Sequence, residues 1–205
     1  MTTLESTDRL RQALDATGAI IAGIRGDQWS NATPCPEWNV RTLANHLVVG
    51  NRMFARTLRG EPPPPWEELR RLHDTDQLGE NPLETYRGAG AELLAAFSEP
   101  DVLERIFQAP IGTVPGIVLF HLRLTELLVH GWDLAHATGQ RPVFPEERAV
   151  EALAFSSGAS APEVPRTGHP FGPIQTVSDD AAAIDRLAAY LGRPVPPKLA
   201  ETNRA

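Results

Sequence analysis

The chain has 205 residues, 41% hydrophobic and 22% charged, with a formal net charge of -7. That length suits one domain with a buried core, and the acidity argues against nucleic acid or an anionic membrane surface as a partner. The N-terminal "MTTLESTDRL" lacks the apolar run of a signal peptide, no segment reaches the roughly 18 apolar residues of a membrane span, and a single cysteine, Cys35, rules out an internal disulfide. A cytoplasmic protein is the expectation.

Leu10, Ala13, Leu14, Thr17, Ile20, Ile21 and Ile24 recur at helical spacing and predict a first helix over 6–25. "WSNATPCPEW" is turn chemistry, with prolines at 34 and 36 that block continuation. Asn39 can cap a second helix that carries Val40, Leu43, His46, Leu47, Gly50, Met53, Phe54 and Leu58 down one side and stops at Gly60. "EPPPPWEELRRLHDTDQLGENP" reads as a long irregular lid or wrap-around loop. A third helix is predicted over 83–98 and, after a loop past Pro110 and Gly112, a fourth over 116–138 that ends at Gly139. "FPEERAVEALAFSSGA" makes a shorter fifth helix, "SAPEVPRTGHPFGPIQTV" a Pro/Gly loop, and "DDAAAIDRLAAYLG" a short closing helix docked through Ile184, Leu187, Tyr190 and Leu191. No run alternates well enough to predict a sheet. The expected fold class is all-α: a four-helix bundle with a long crossover connection and short C-terminal helices, one domain over 1–205 with loose ends at 1–5 and 194–205.

Three polar residues sit where such a bundle should bury hydrocarbon. Glu126 and His130, four apart in "TELLVHGWDLAHATGQ", share one helix face about 6 Å apart along the axis. His46 interrupts "LANHLVVG" in the same way. Bundles build metal sites from inward carboxylates and imidazoles on facing helices, and three such ligands leave a fourth position open for water or substrate. The plainer readings are a hydrogen-bonded core histidine for His46 and an ion-paired helix face for Glu126 and His130. A carboxylate in a core costs several kcal/mol unless it meets a counter-charge, which a divalent ion supplies. Asp133, one turn on, can hold the His130 ring from behind or lie at the surface.

Gly131 implies a close approach beside His130. Trp132 reads as core and His136 as exposed. Cys35 reads as a small buried thiol with no partner histidine. Arg52, Arg56 and Arg59 on the second helix, or Arg123 one turn before Glu126, could bind an anionic substrate, each alone reading as a surface residue. Trp38 and Trp66 could wall a pocket.

"TPCPEWNVRTLANHLVVGNRMFARTLRGE" (33–61), "ELLVHGWDLAHATGQ" (126–140) and "FGPIQTVSDDAAAIDRLAAYLGR" (171–193) resemble the actinobacterial family named after the N-terminal domain of mycothiol-dependent maleylpyruvate isomerase. That family belongs to the DinB/YfiT-like metal-binding four-helix bundles. Its signature is W-x-V-R-x-L-x-x-H-L, followed by E-x-x-x-H-G-W-D-L-A about eighty residues later. The 18 arginines against one lysine read as the coding bias of a GC-rich genome and agree with that range.

The resemblance implies metal ligation by His46, Glu126 and His130. It also implies a thiol co-substrate, mycothiol, that adds to or isomerises a small electrophile as a thiol S-transferase or isomerase. Weak cofactor-binding candidates are Arg52, Arg123 and Trp38. Zinc suits imidazole and carboxylate best, and nickel, iron and manganese are compatible. The isomerase has an additional C-terminal domain for which this chain has no room. The competing readings are a non-catalytic metal-binding bundle that sequesters a small molecule or acts in stress response, and a metal-dependent hydrolase. A homodimer is compatible with the sequence.

Overall fold

The computed structural model describes residues 2–36, 38–141, 143–158 and 172–196. Helix α1 (Thr3–Ala22) begins in the segment expected to be loose. The Thr2 hydroxyl accepts from the Glu5 N–H at 3.2 Å, and the Glu5 carboxylate accepts from the Thr2 N–H at 2.8 Å. This reciprocal cap satisfies two N–H groups that a helix start otherwise leaves orphaned. Helix α2 (Val40–Leu58) is capped by Asn39 as predicted, its side chain accepting from Thr42 N–H at 2.9 Å. Gly60 follows with φ +83°, a left-handed conformation that glycine adopts without strain.

The proline-rich connection is not irregular throughout. The prolines at 62–65 do block helix, but α3 (Trp66–Asp74) starts directly after them. Glu67 and Glu68 lie in its first turn and Arg71 and His73 in its last, the arrangement the helix dipole favours. Helix α4 (Pro82–Phe97) opens with proline at its first position, where the missing N–H costs nothing.

A small sheet replaces the loop expected before the fourth predicted helix. Strands β1 (Ile106–Ala109) and β2 (Gly112–Pro115) pair antiparallel, Ile106 opposite Pro115 and Ala109 opposite Gly112. Its alternation spans only four residues, with Phe107 and Ala109 inward and Ile106 and Gln108 outward, too short to stand out by pattern. The chain continues into α5 (Gly116–Ala137), α6 (Glu146–Ser157) and α7 (Ala183–Tyr190). The predicted Pro/Gly loop after α6 lies mostly outside the described residues, as do 197–205 of the expected C-terminal end.

The main packing runs α1 on α4, α4 on α2, α2 on α5 and α5 on α1, which places α1 and α2 across the bundle diagonal. Leu10, Leu14, Leu43, Leu47, Leu93, Leu124, Leu127 and Leu128 fill the centre, each leucine contributing roughly 1.5–3 kcal/mol by burial. The approach that Gly131 implied is from α1. A β-carbon there would come within 2.6 Å of the Thr17 hydroxyl, which donates to the Leu127 carbonyl at 2.9 Å. Outside the bundle α6 and α7 pack on each other and on α5. Trp132, fully buried, donates from its indole N–H to Asp185 at 2.8 Å, and Glu146 accepts from the Ala183 N–H at 3.0 Å. Among the described residues no helix is long and apolar enough to cross a membrane.

Candidate metal centre

Helices α2 and α5 bring the rings of His46 and His130 into contact. Their ring centroids lie 5.0 Å apart at an interplanar angle of 82°. Two imidazoles sharing one tetrahedral ion through metal–nitrogen bonds of about 2.0–2.1 Å would have centroids roughly 5 Å apart, so the spacing fits a common ligand. Both His46 ring nitrogens are sealed from solvent and have no hydrogen-bond partner. Unpaired buried polar atoms cost roughly 1–3 kcal/mol each, and a histidine that bore only a packing role would normally spend at least one on a neighbour. Burial, then the nearby His130, holds His46 well below the ordinary histidine range. Neutral imidazole is the form that ligates metals.

His130 is held from behind. Its Nδ1 lies 3.1 Å from the Asp133 carboxylate, both residues being buried, the contact their one-turn spacing allowed. Asp133 is gripped in turn by Arg193, whose Nη2 donates at 3.1 Å and Nε at 3.3 and 3.4 Å. Nothing in the local sequence pattern pointed to Arg193. It lies 60 residues downstream, beyond α7, and only the packing of α7 on α5 brings it in.

Glu126 is half-buried, and its Oε2 accepts from Arg123 Nη1 at 2.6 Å. Arg123 corrects its surface reading. It is wholly buried, its Nε donating to Asn51 at 2.9 Å and its Nη2 to the Leu47 carbonyl at 2.8 Å. With these three acceptors its guanidinium is committed inside the bundle instead of presented to an anionic substrate. Gly50 makes the room, since a β-carbon there would collide with Arg123 Nη1.

Ligand-type atoms of Cys35, His130 and Asp133 also converge, within 4.8 Å of one another. The sequence had shown no histidine near Cys35. In this set Asp133 is already bound to His130 and Arg193, and burial pushes the Cys35 thiol up to about 11. These donors are spoken for or protonated, whereas the His46 nitrogens are neither. Among the described residues, Cys35, His130 and Asp133 are the group whose ligand atoms converge within that distance; those of His46, Glu126 and His130 do not form such a group.

The Trp38 ring lies 4.5 Å from His46 and 5.9 Å from His130. The turn over 33–38 sets it there, with the Thr33 hydroxyl donating toward the Cys35 and Trp38 carbonyls. Trp66 is 68% exposed and walls nothing near the histidines. His136, expected to be exposed, stacks on Trp132 at 3.6 Å and is half-buried. Arg52 lines a cavity of about 130 Å³ on the α2–α3 seam with Val49, Met53, Leu69 and Leu72, and its Nε is 3.9 Å from Glu92.

One residue was missed altogether. His73 sits on α3 with its ring centroid 5.0 Å from that of His46 and an interplanar angle of 25°. It lay in the segment read as irregular. The usable signal was Leu69, Leu72 and His73 at helical spacing directly after the prolines.

Comparison with known proteins bears on this arrangement. Residues 10–135 match the model of the mycothiol maleylpyruvate isomerase N-terminal domain. Two relatives from Mycobacterium tuberculosis, the uncharacterized proteins MT0763 (strain CDC 1551 / Oshkosh) and Rv0738 (strain ATCC 25618 / H37Rv), are each 35% identical over 187 residues. Those matches span 90% of this chain and 96% of each relative. Among solved structures, a histidine-to-alanine mutant of mycothiol-dependent maleylpyruvate isomerase superposes with a TM-score of 0.64 and the same enzyme unmutated with 0.59. Each is 16% identical, with 76% of this chain and 69% of that one covered, a likeness that establishes a shared fold. The match across α1 to α5 takes in His46, Glu126, His130 and Asp133 together, and the chain belongs to the mycothiol maleylpyruvate isomerase N-terminal domain family, with its DinB-like helical fold.

Proposed function

We propose that the chain is a divalent-metal-dependent enzyme that uses a low-molecular-weight thiol, mycothiol, to add to or isomerise a small electrophilic substrate in the cytoplasm. His46, Glu126 and His130 would hold the ion, zinc by the chemistry of the donor set. The observation that carries this reading is His46, with two buried nitrogens that no protein group satisfies, 5.0 Å from a second imidazole in a family named for a mycothiol enzyme.

When bound, such an ion supplies a Lewis-acidic position that keeps a cofactor sulfur in its thiolate form near neutral pH. The protein's own contributions follow from the geometry. Low dielectric around His46 keeps its imidazole neutral and available. The Asp133 carboxylate, steadied by Arg193, fixes the orientation of the His130 ring. Arg123 fixes the Glu126 carboxylate, so that its position does not depend on an exposed and mobile side chain. Trp38 covers the two imidazoles and limits water access. The cavity beside Arg52 provides an apolar wall with a cation at its rim, suited to a small acid.

Protein purified without a histidine tag is assayed for bound metal, then for mycothiol-dependent turnover of maleylpyruvate and of model electrophiles, with and without chelator. Thiol-dependent turnover that is lost with the metal and restored by zinc supports the proposal. Equal turnover without thiol overturns it. Tight metal and thiol binding with no turnover of any electrophile favours the sequestering reading instead.

A further inference from the structure

We infer that the chain carries a second binding site, in the cleft between α5 and α6. It takes a neutral aromatic alcohol of the phenol class, the ring lying along Phe155 and the hydroxyl bridging His121 and Glu151. This site is independent of the metal reading.

His121 lies nine residues before His130 on α5. That is two and a half turns, so the two side chains leave the helix on opposite faces, roughly 13 Å apart along its axis. On the His121 face, Ile117, Val118 and His121 meet Glu151, Ala154 and Phe155 of α6 across a cleft of about 450 Å³. Apolar walls with a few convergent polar groups, at that size, are the make-up of a small-molecule site.

The polar pair is set in place and left unfinished. Arg9 Nη1 donates to Glu151 Oε1 at 3.1 Å and Arg148 Nη1 to Oε2 at 2.7 Å, so the carboxylate is fixed from α1 and from its own helix. Held in this way it stays 3.8 Å from His121 Nδ1, too far for a hydrogen bond. That nitrogen is buried with no partner, which a fold normally avoids. An oxygen about 2.8 Å from each atom fits the gap, and a hydroxyl can donate to Glu151 while accepting from a His121 Nδ1–H.

Charge selects against the alternatives. A carboxylate would be brought against Glu151, and an ammonium would compete with Arg9 and Arg148 for the same oxygens. The wall favours a flat ring. His121 and Phe155 are themselves nearly parallel, with centroids 4.8 Å apart and 18° between planes, and a third ring extends such a stack.

The test titrates the full chain, with and without metal, by calorimetry. The probe is 2-naphthol, with 2-methoxynaphthalene (no donor) and 2-naphthoate (charged) as its controls. Wild type is expected to bind one 2-naphthol, and each control about 10-fold more weakly, the effect of losing one buried hydrogen bond. His121→Phe keeps the stack and loses the bridge, so its affinity for 2-naphthol should also fall about 10-fold. Ala154 is exposed at the rim, and Ala154→Trp should plug the cleft and abolish binding with helical circular dichroism unchanged. In wild type, the ring ¹⁵N resonance of His121 should shift on adding 2-naphthol and stay still with 2-methoxynaphthalene. Equal affinity for 2-naphthol and its methyl ether overturns the inference, as does tighter binding of 2-naphthoate. If Ala154→Trp binds 2-naphthol as wild type does, the cleft is not the site and the inference falls. Neither result touches the metal centre, whose own assays are separate.

Discussion

Two arginine–carboxylate pairs flank the histidines, and they are built differently. Asp133 is wholly buried, touches His130, and is gripped by a buried Arg193 that arrives from the far end of the chain. Glu126 is 29% exposed at its side chain and meets an arginine one turn away on its own helix. The first pair is sealed and works as a brace, because a carboxylate with that many partners has little left for an ion. The second remains open on one side, as the ligand role proposed for Glu126 requires. Burial alone therefore does not mark a metal ligand.

The sharpest way to break this comparison is to remove each arginine. Arg193→Met strands a buried carboxylate and is expected to cost about 3–5 kcal/mol, whereas Arg123→Met, whose Glu126 can turn to water, should cost about 2–3 kcal/mol. Urea midpoints measured on metal-free protein decide it, and a reversed order would mean that Asp133 is not the sealed member.

Next, Asp133→Asn should weaken zinc binding by roughly 10- to 100-fold by loosening His130. Adding Arg193→Met to that variant should recover part of the stability, because the stranded guanidinium is gone, without recovering the metal affinity. A double-mutant cycle followed by both readouts separates brace from ligand.

Gly50→Ala tests the seat of the second pair. Its β-carbon would meet the Arg123 guanidinium, and overpacking of that kind costs about 1–3 kcal/mol. The cost should shrink in an Arg123→Met background, where a flexible uncharged chain can move aside.

The smallest effect lies outside both pairs. His121, between α5 and α6, has a buried unpartnered Nδ1 and a titration lowered chiefly by burial, with Glu151 opposing. The unfolded chain then binds a proton near pH 6.5 that the folded chain refuses, so stability should fall as pH drops below about 6.5 and level off below the folded-state value. The ceiling is about 1.4 kcal/mol per pH unit for a full proton, and partial exposure keeps His121 well under it. His121→Phe should reduce that slope of the metal-free stability profile without abolishing it, because His46 and His73 are also held below the ordinary range by burial. His121 also shows the limit of an orphan nitrogen as a signal of metal. Its nearest carboxylate, Glu151, is already held by Arg9 and Arg148, and its ring stacks on Phe155 with no second imidazole at hand.

What could be read from the sequence was local. The Asn39 cap, the Gly60 stop, the 3.6-residue periodicity of the bundle helices and the one-turn spacing of Glu126, His130 and Asp133 are properties of neighbouring residues, and so His46, Glu126 and His130 stood out as misplaced polar groups on apolar faces. Tertiary packing decided the rest. Arg193 reaches Asp133 only because α7 docks on α5, Arg123 is tolerated inside only because Gly50 on another helix yields space, and His73 meets His46 only because Asn45 ties down the end of α3. Strand pairing over four residues was likewise too short to leave a pattern. The physical reason is common to all of these: helix propensity and capping act within a turn or two of chain, whereas the cost of burying a charge or a ring nitrogen is settled by partners that only the folded chain brings within reach.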